Sequence, residues 1–258
     1  MSRVMARKIL TCLKAILKDA MRRGSLAQNV AASVRIESSN RDRRQLEVGR
    51  DIPTPEEVRR LIHAAAPRWR PLLATACFTG LRASELRGLC WIDIDLKKGE
   101  LRVRQRADRY QTLGKPKSRA GERIIPIGPF VVNTLRTWRL ACPKSKLGLV
   151  FPTRTGQIMH HKAVIRYALI PAQLTAGVVM ADGKAKYTGM HALRHFYASW
   201  CINRRQDGGL ELTPKLTQVR LGHATIAMTL DVYGHLFPRG DDGAELAAAE
   251  RALGLSAT

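Results

Sequence analysis

Apolar residues recur at helical spacing from the start of the chain. In residues 1–23, MSRVMARKILTCLKAILKDAMRR, Ile9, Leu10, Leu13, Ile16, Leu17 and Met21 form one stripe with Lys and Arg between them, and Gly24 supplies a stop. A helix with a single apolar stripe does not fold alone, so it needs partners elsewhere. Residues 35–52 (RIESSNRDRRQLEVGRDI) lose the periodicity and read as an exposed basic linker, whose arginines either follow phosphates or are simply solvated. A second domain opens at Thr54-Pro55-Glu56-Glu57, with Thr at the N-cap, Pro at N1 and Glu at N3, the arrangement of a capping box. Its helix should run to Ala65. Further helices are expected over 70–78, ending near Gly80, and over 83–89.

Alternation with period two then takes over. Residues 91–96, 101–104 and 123–127 predict three short antiparallel strands, the last two separated by a basic, flexible stretch, GKPKSRAGE. From Phe130 onward the pattern is mostly helical, with Gly-containing loops near 153–156, 176–189 and 206–212. Thr213-Pro214 starts a helix that stops at Leu221-Gly222, where Gly suits the C′ position, and Thr225 caps the next one. After Pro238 the tail is acidic and then Ala-rich, with Leu246, Ala249 and Leu253 at helical spacing. The expected fold class is therefore mainly α with a small three-stranded antiparallel β-sheet.

Charge changes the picture more than composition does. Lys and Arg number 44 against 21 Asp and Glu, a net charge of +23. That excess goes well beyond solubility and points to a polyanionic partner. No apolar run approaches the roughly 18–20 residues of a membrane span, and the basic N-terminus lacks the apolar block of a signal peptide. The five cysteines are odd in number and widely spaced without a CxxC pair, so neither a zinc site nor a disulfide framework is indicated.

A few side chains suit phosphoryl transfer. Arg82 lies in TGLRASEL, His191 and Arg194 in HALRH, His223 in LGH, and Tyr233 ten residues later in TLDVYGH. A phosphodiester needs fixed cationic donors for its charged oxygens, and the planar fork of arginine can bind two at once. Glu85, three residues beyond Arg82, either orients that guanidinium or makes an ordinary helix-surface salt bridge. His191 and Arg194 share a helical face. His195 points to another face and reads as structural. His223, at a helix boundary, either faces an open site or caps. Tyr233 sits among apolar residues, so a core tyrosine and a nucleophile are both compatible with its own segment.

Taken together and in this order, TGLRASEL, KSRAGERIIPI, HALRH and LGHATIAMTLDVYGH resemble the catalytic domain of the tyrosine recombinases, the phage-integrase family. The resemblance covers residues 53–237. It implies that Arg82, His191, Arg194 and His223 surround a scissile phosphate while Tyr233 attacks it, with Glu85 in support. A lysine in a loop between two strands would be the general acid. Lys117 fits that place best, with Lys115 two residues away. It further implies double-stranded DNA as substrate, a homo-tetramer on paired sites, accessory DNA-bending proteins as a further class of partner, a cytoplasmic, nucleoid-associated location, and neither cofactor nor metal.

Residues 1–34 resemble only the end of a helical core-binding domain, so the N-terminus reads as truncated and a full clamp on DNA is not expected. The tail, 238–258, is expected to dock as a helix, either on its own domain or, in preference, on a neighbouring protomer. Two other functions remain compatible with the sequence: a type IB topoisomerase-like enzyme and a non-catalytic DNA-binding remnant.

Overall fold

The computed structural model describes residues 3–36, 45–116, 118–238 and 242–254. They fall into two compact units, residues 1–45 and 46–258. In the first, α1 (Arg3–Arg22) carries the predicted amphipathic pattern. The chain after it folds back through polar clamps. Lys14 Nζ donates to the carbonyls of Ala32 and Val34 at 3.0 and 2.8 Å, and Asn29 Nδ2 donates to the carbonyl of Lys14 at 3.1 Å.

The second unit opens with α2 (Pro55–Ala64), and its start is the capping box read from sequence. Thr54 Oγ1 accepts from the Glu57 amide at 3.1 Å, while the Thr54 amide donates to Glu57 Oε2 at 2.8 Å. α3 (Arg70–Thr79) is buried along most of its length and stops at Gly80, where φ is +59°. A Cβ at Gly80 would lie 2.3 Å from Cδ1 of Tyr197. Only glycine supplies both the left-handed turn and the space. The chain then enters α4 (Ala83–Arg87) with Arg82 at its N-cap.

Short strands follow among the described residues: β1 (Ile94–Asp95), β2 (Glu100–Val103), β3 (Arg106–Ala107), β4 (Leu113–Gly114) and β5 (Arg123–Pro126). β1, β2 and β5 form the expected three-stranded antiparallel sheet, with Leu101 opposite Ile125 and Val103 opposite Arg123. The first strand is shorter than predicted. Trp91–Asp93 is a 3₁₀ turn, because the Trp91 amide donates to Gly148 and the Asp93 amide to Cys90 instead of entering the ladder. The β3–β4 hairpin has no counterpart in the sequence pattern, since two-residue strands carry no period to detect.

The remainder is helical: α5 (Pro129–Ala141), α6 (His161–Val164), α7 (Ile170–Ala176), α8 (His191–Ile202), α9 (Pro214–Leu221), α10 (Ile226–Tyr233) and α11 (Asp242–Ala252). Between α6 and α7 the helix widens into a π turn over Ile165–Leu169. Pro171 explains it: a proline inside a helix has no amide to donate and its ring collides with the carbonyl four residues back. Leu72 and Leu73 of α3, Leu101 and Ile125 of the sheet, Leu135 of α5 and Leu193 and Tyr197 of α8 are fully buried in one core. Each buried leucine contributes about 1.5–3 kcal/mol, so α3 and α8 form a firm base for the polar cluster beside them. Among the described residues, no helix is long and apolar enough to cross a membrane.

Candidate active site

The cluster is built from helix ends. At the start of α4, the Arg82 amide donates to Glu85 Oε2 at 2.9 Å, and Arg82 Nη1 donates to Glu85 Oε1, also at 2.9 Å. Glu85 is only 3% exposed, which sets aside a surface salt bridge. Its other face meets Arg123 of β5, whose Nη2 lies 3.0 Å from Oε2. Burial by itself would raise the Glu85 carboxyl, but Arg123 and then Arg82 hold it below the ordinary value. At the far end of α9, Gly222 takes φ +64°, and a Cβ there would meet Arg123 Nη1 at 2.8 Å and the Ala120 carbonyl at 2.9 Å. Arg82 Nη2 donates to the Gly222 carbonyl at 3.0 Å, which ties α4 to the residue before His223.

α8 supplies the opposite wall. Arg194 is 2% exposed, and its two terminal nitrogens donate to the carbonyls of Gly80 and Leu221 at 2.5 and 2.6 Å. One guanidinium thereby joins the end of α3 to the end of α9. His191 begins α8 and is exposed, with its ring edge-to-face with that of His195 at 5.1 Å. His223 Nδ1 lies 2.9 Å from Thr229 Oγ1 of α10, and the His223 ring stacks on that of Tyr233 with centroids 6.3 Å apart. Tyr233 closes α10, is 2% exposed, and its hydroxyl lies 2.7 Å from Nδ1 of His195.

The electrostatics describe a site short of negative charge. Arg82, Arg123 and Arg194 share one carboxylate, Glu85. Burial first, and Arg82 next, lower Arg194 to about 10. His223 is driven down to about 4 by burial, then by Arg194, Arg82, Arg123 and His191. An anion among these groups would relieve both penalties. Among the described residues, no group of three or more His, Cys, Asp or Glu side chains is placed to hold a metal ion.

The structure therefore brings Arg82, Glu85, Arg194, His223 and Tyr233 together, with His191 at the rim. Lys117 lies outside the described residues. Lys115 is exposed, directly after β4. His195 corrects the sequence reading. It is not turned away from the site but bonded to the Tyr233 hydroxyl, because residues four apart on a helix share a face, as His191 and His195 do. Two further residues went unrecognised. Thr229 left no signal in sequence. Arg123 did, as a charged residue in register with Ile125 and Ile127 on the inward face of a strand.

Comparison with known proteins gives a consistent result. The model of the phage integrase family matches residues 53–239. A tyrosine recombinase XerC-like protein of Caldanaerobacter subterraneus subsp. tengcongensis is 27% identical over 252 residues, covering 88% of this chain and 61% of its own length. The tyrosine recombinase XerC of Xanthomonas axonopodis pv. citri is 31% identical over 221 residues, covering 84% and 62%. The chain thus spans about three fifths of the length of the curated relatives it matches. Among solved structures, the Tn1549 transposon integrase in complex with transposon right end DNA shares the fold with a TM-score of 0.72 at 19% identity, over 98% of this chain and 80% of that one. A lambda integrase dimer bound to a COC′ core site gives 0.60 at 20% identity, over 88% and 74%.

Proposed function

The chain belongs to the phage integrase family, and from that premise we propose that it is a site-specific DNA recombinase, cutting and rejoining strands through a 3′-phosphotyrosine. The observation that carries this reading is the seating of Tyr233. Its ring stacks on His223, and while burial raises its phenol to about 12, Arg194 and then Arg82 act to lower it. A phosphodiester entering this cluster would place its non-bridging oxygens against Arg82 and Arg194, with His191 and His223 as further donors. Those groups gain most when the pentacoordinate state adds charge to the same oxygens. Attack by Tyr233 releases a 5′-hydroxyl, with Lys117 delivering its proton and Lys115 as the alternative. A 5′-hydroxyl from a second duplex then attacks the phosphotyrosine. The bond energy stays in the covalent link, so no external energy source is needed.

The partner in this reading is double-stranded DNA, in keeping with the net charge of +23. Two duplexes held by a homo-tetramer, with accessory DNA-bending proteins, would form the working complex in a nucleoid-associated, cytoplasmic setting. We assign α11 to a neighbouring protomer, since Leu246 and Leu253 are 64% and 77% exposed. The test of the reading is a nicked suicide duplex labelled on either side of the break. The label should remain with the protein only when it lies on the 3′-phosphate side. Relaxation of plasmids without preference for any site would indicate a topoisomerase instead, and DNA binding with no covalent product would indicate a remnant.

A further inference from the structure

His223 enters the site on a backbone that is already fixed. Its amide donates to the Gln218 carbonyl at 3.1 Å, and its carbonyl accepts from Gln218 Nε2 at 3.1 Å. The Gly222 carbonyl before it accepts from Arg82 Nη2 at 3.0 Å. What these bonds leave open is the imidazole, and which of its nitrogens carries the hydrogen. Burial, then Arg194, Arg82, Arg123 and His191, lower His223 to about 4, so at pH 7 the ring is neutral and has a single N–H. Nδ1 faces Thr229, which leaves Nε2 for an incoming phosphate oxygen. With the hydrogen on Nδ1, Nε2 would turn a lone pair toward that oxygen and repel it. With the hydrogen on Nε2, the same neutral ring donates.

Thr229 selects between the two forms. Its Oγ1 lies 2.9 Å from Nδ1 of His223, and the residue is fully buried, so its hydroxyl hydrogen has no access to water. A threonine within a helix often gives that hydrogen to the carbonyl four residues back. Thr75 does so to Pro71 at 2.8 Å, and Thr79 to Thr75 at 2.6 Å. The Thr229 hydroxyl makes no such bond, and among the described residues Nδ1 of His223 is its one partner. If Nδ1 donated, the hydroxyl hydrogen would be buried without an acceptor, which is costly. If Nδ1 accepts, both groups are satisfied and the imidazole hydrogen sits on Nε2. Thr229 and Tyr233 are four residues apart on α10 and share a face. The His223 ring lies parallel to that of Tyr233, at 4°. The helix that presents the tyrosine therefore also sets the tautomer of the histidine beside it.

Resting on the reading of this cluster as the phosphate site of a recombinase, we propose that Thr229 is a positioning residue for His223. Its hydroxyl donates to Nδ1 and holds the ring in the Nε2–H form, which makes a neutral histidine a hydrogen-bond donor to the scissile phosphate. Thr229 itself touches neither the phosphate nor the attacking oxygen. It acts only through the imidazole, and only while α10 is seated with Tyr233 in place.

The test joins ¹⁵N NMR of the free protein to single-turnover cleavage of a nicked suicide duplex. The variants are Thr229→Val, Thr229→Ser, His223→Phe and the double variant Thr229→Val with His223→Phe. NMR should place the hydrogen of His223 on Nε2 in the wild type and in Thr229→Ser, and show mixed tautomers in Thr229→Val. Thr229→Val should bind DNA as the wild type does and form the covalent adduct about 10–10²-fold more slowly. That is less than the roughly 10²–10³-fold typical when a transition-state donor is removed outright, because the ring remains. Thr229→Ser, which keeps the hydroxyl, should keep most of the rate. His223→Phe keeps a flat ring beside Tyr233 but has no nitrogen, and in that background Thr229→Val should change the rate by less than about twofold. A wild-type His223 with its hydrogen on Nδ1 would overturn the proposal. So would an equal loss from Thr229→Val in both backgrounds, which would mark a packing role. If the wild type itself forms no adduct, the recombinase reading fails and the role of Thr229 with it. An adduct in the wild type with an undiminished rate in Thr229→Val removes Thr229 alone.

Discussion

Arg123 and Glu85 face each other with Nη2 3.0 Å from Oε2, and both side chains are almost fully buried, at 2% and 3% exposed. The same guanidinium donates through Nε to the Arg220 carbonyl at 2.8 Å and through Nη1 to the Gly121 carbonyl at 2.9 Å. It therefore ties the turn before β5 to the end of α9, and through Glu85 to Arg82. Two buried charges are costly to desolvate, and the cost is offset only while each keeps its partners.

Arg123→Met should consequently destabilise the protein by about 3–5 kcal/mol, the usual penalty for stranding one member of a buried pair. Glu85→Gln should be harmful for the same reason. The double variant should lose less than the sum of the two, because neither charge is then left alone. Urea unfolding of the four proteins checks this. Strictly additive losses would show that the two residues do not act as a pair.

Arg82→Lys and Arg194→Lys keep a positive charge but lose the planar fork. Arg194 bridges two carbonyls, those of Gly80 and Leu221, with separate nitrogens set on one rigid plane. Each change should raise the barrier to DNA cleavage by about 2.7–4 kcal/mol, the cost typical of losing one transition-state donor. Single-turnover rates measure it. Wild-type rates in both variants would reduce these arginines to structural cations.

Much of this site was legible because its residues stand at helix boundaries, where caps and glycines mark the sequence. The Thr54 capping box, the stops at Gly80 and Gly222 and the Thr225 cap could each be read from local chemistry alone. What escaped depends on contacts distant in sequence. Beside Arg194, His195 reads as structural in the sequence, and its partner Tyr233 is 38 residues on. Arg123 read as part of a strand, since nothing local says that Glu85 lies 38 residues back. The first strand is shorter than its pattern implies because alternation in 91–96 cannot reveal that Gly148 takes the Trp91 amide.

Stability should fall in mild acid. His195 and His223 are both held near 4, by burial first and by surrounding positive groups second, against an unfolded value of about 6.5. The folded values are depressed, so the unfolded chain takes up protons first. The stabilisation from keeping these rings neutral is complete above about pH 6.5 and is lost as the pH falls towards about 4. Glu85, held low, adds to the loss at the acid end. Urea midpoints should decline as the pH is lowered from about 6.5 to about 4.5, and His195→Gln together with His223→Gln should flatten the decline. A wild-type profile that is level across this window would contradict the electrostatic description of the site.

In the proposed reaction the Tyr233 phenolic oxygen is the nucleophile that bonds to phosphorus, and peptide mapping of the covalent adduct tests this most directly. Trypsin releases Tyr233 in LGHATIAMTLDVYGHLFPR, a peptide with none of the other four of the chain's five tyrosines. After reaction with a suicide duplex and nuclease digestion, mass spectrometry should find the nucleotide mass on this peptide, and Tyr233→Phe should bind DNA yet give no adduct. A nucleotide on any other peptide, or an adduct that persists in Tyr233→Phe, would contradict the account.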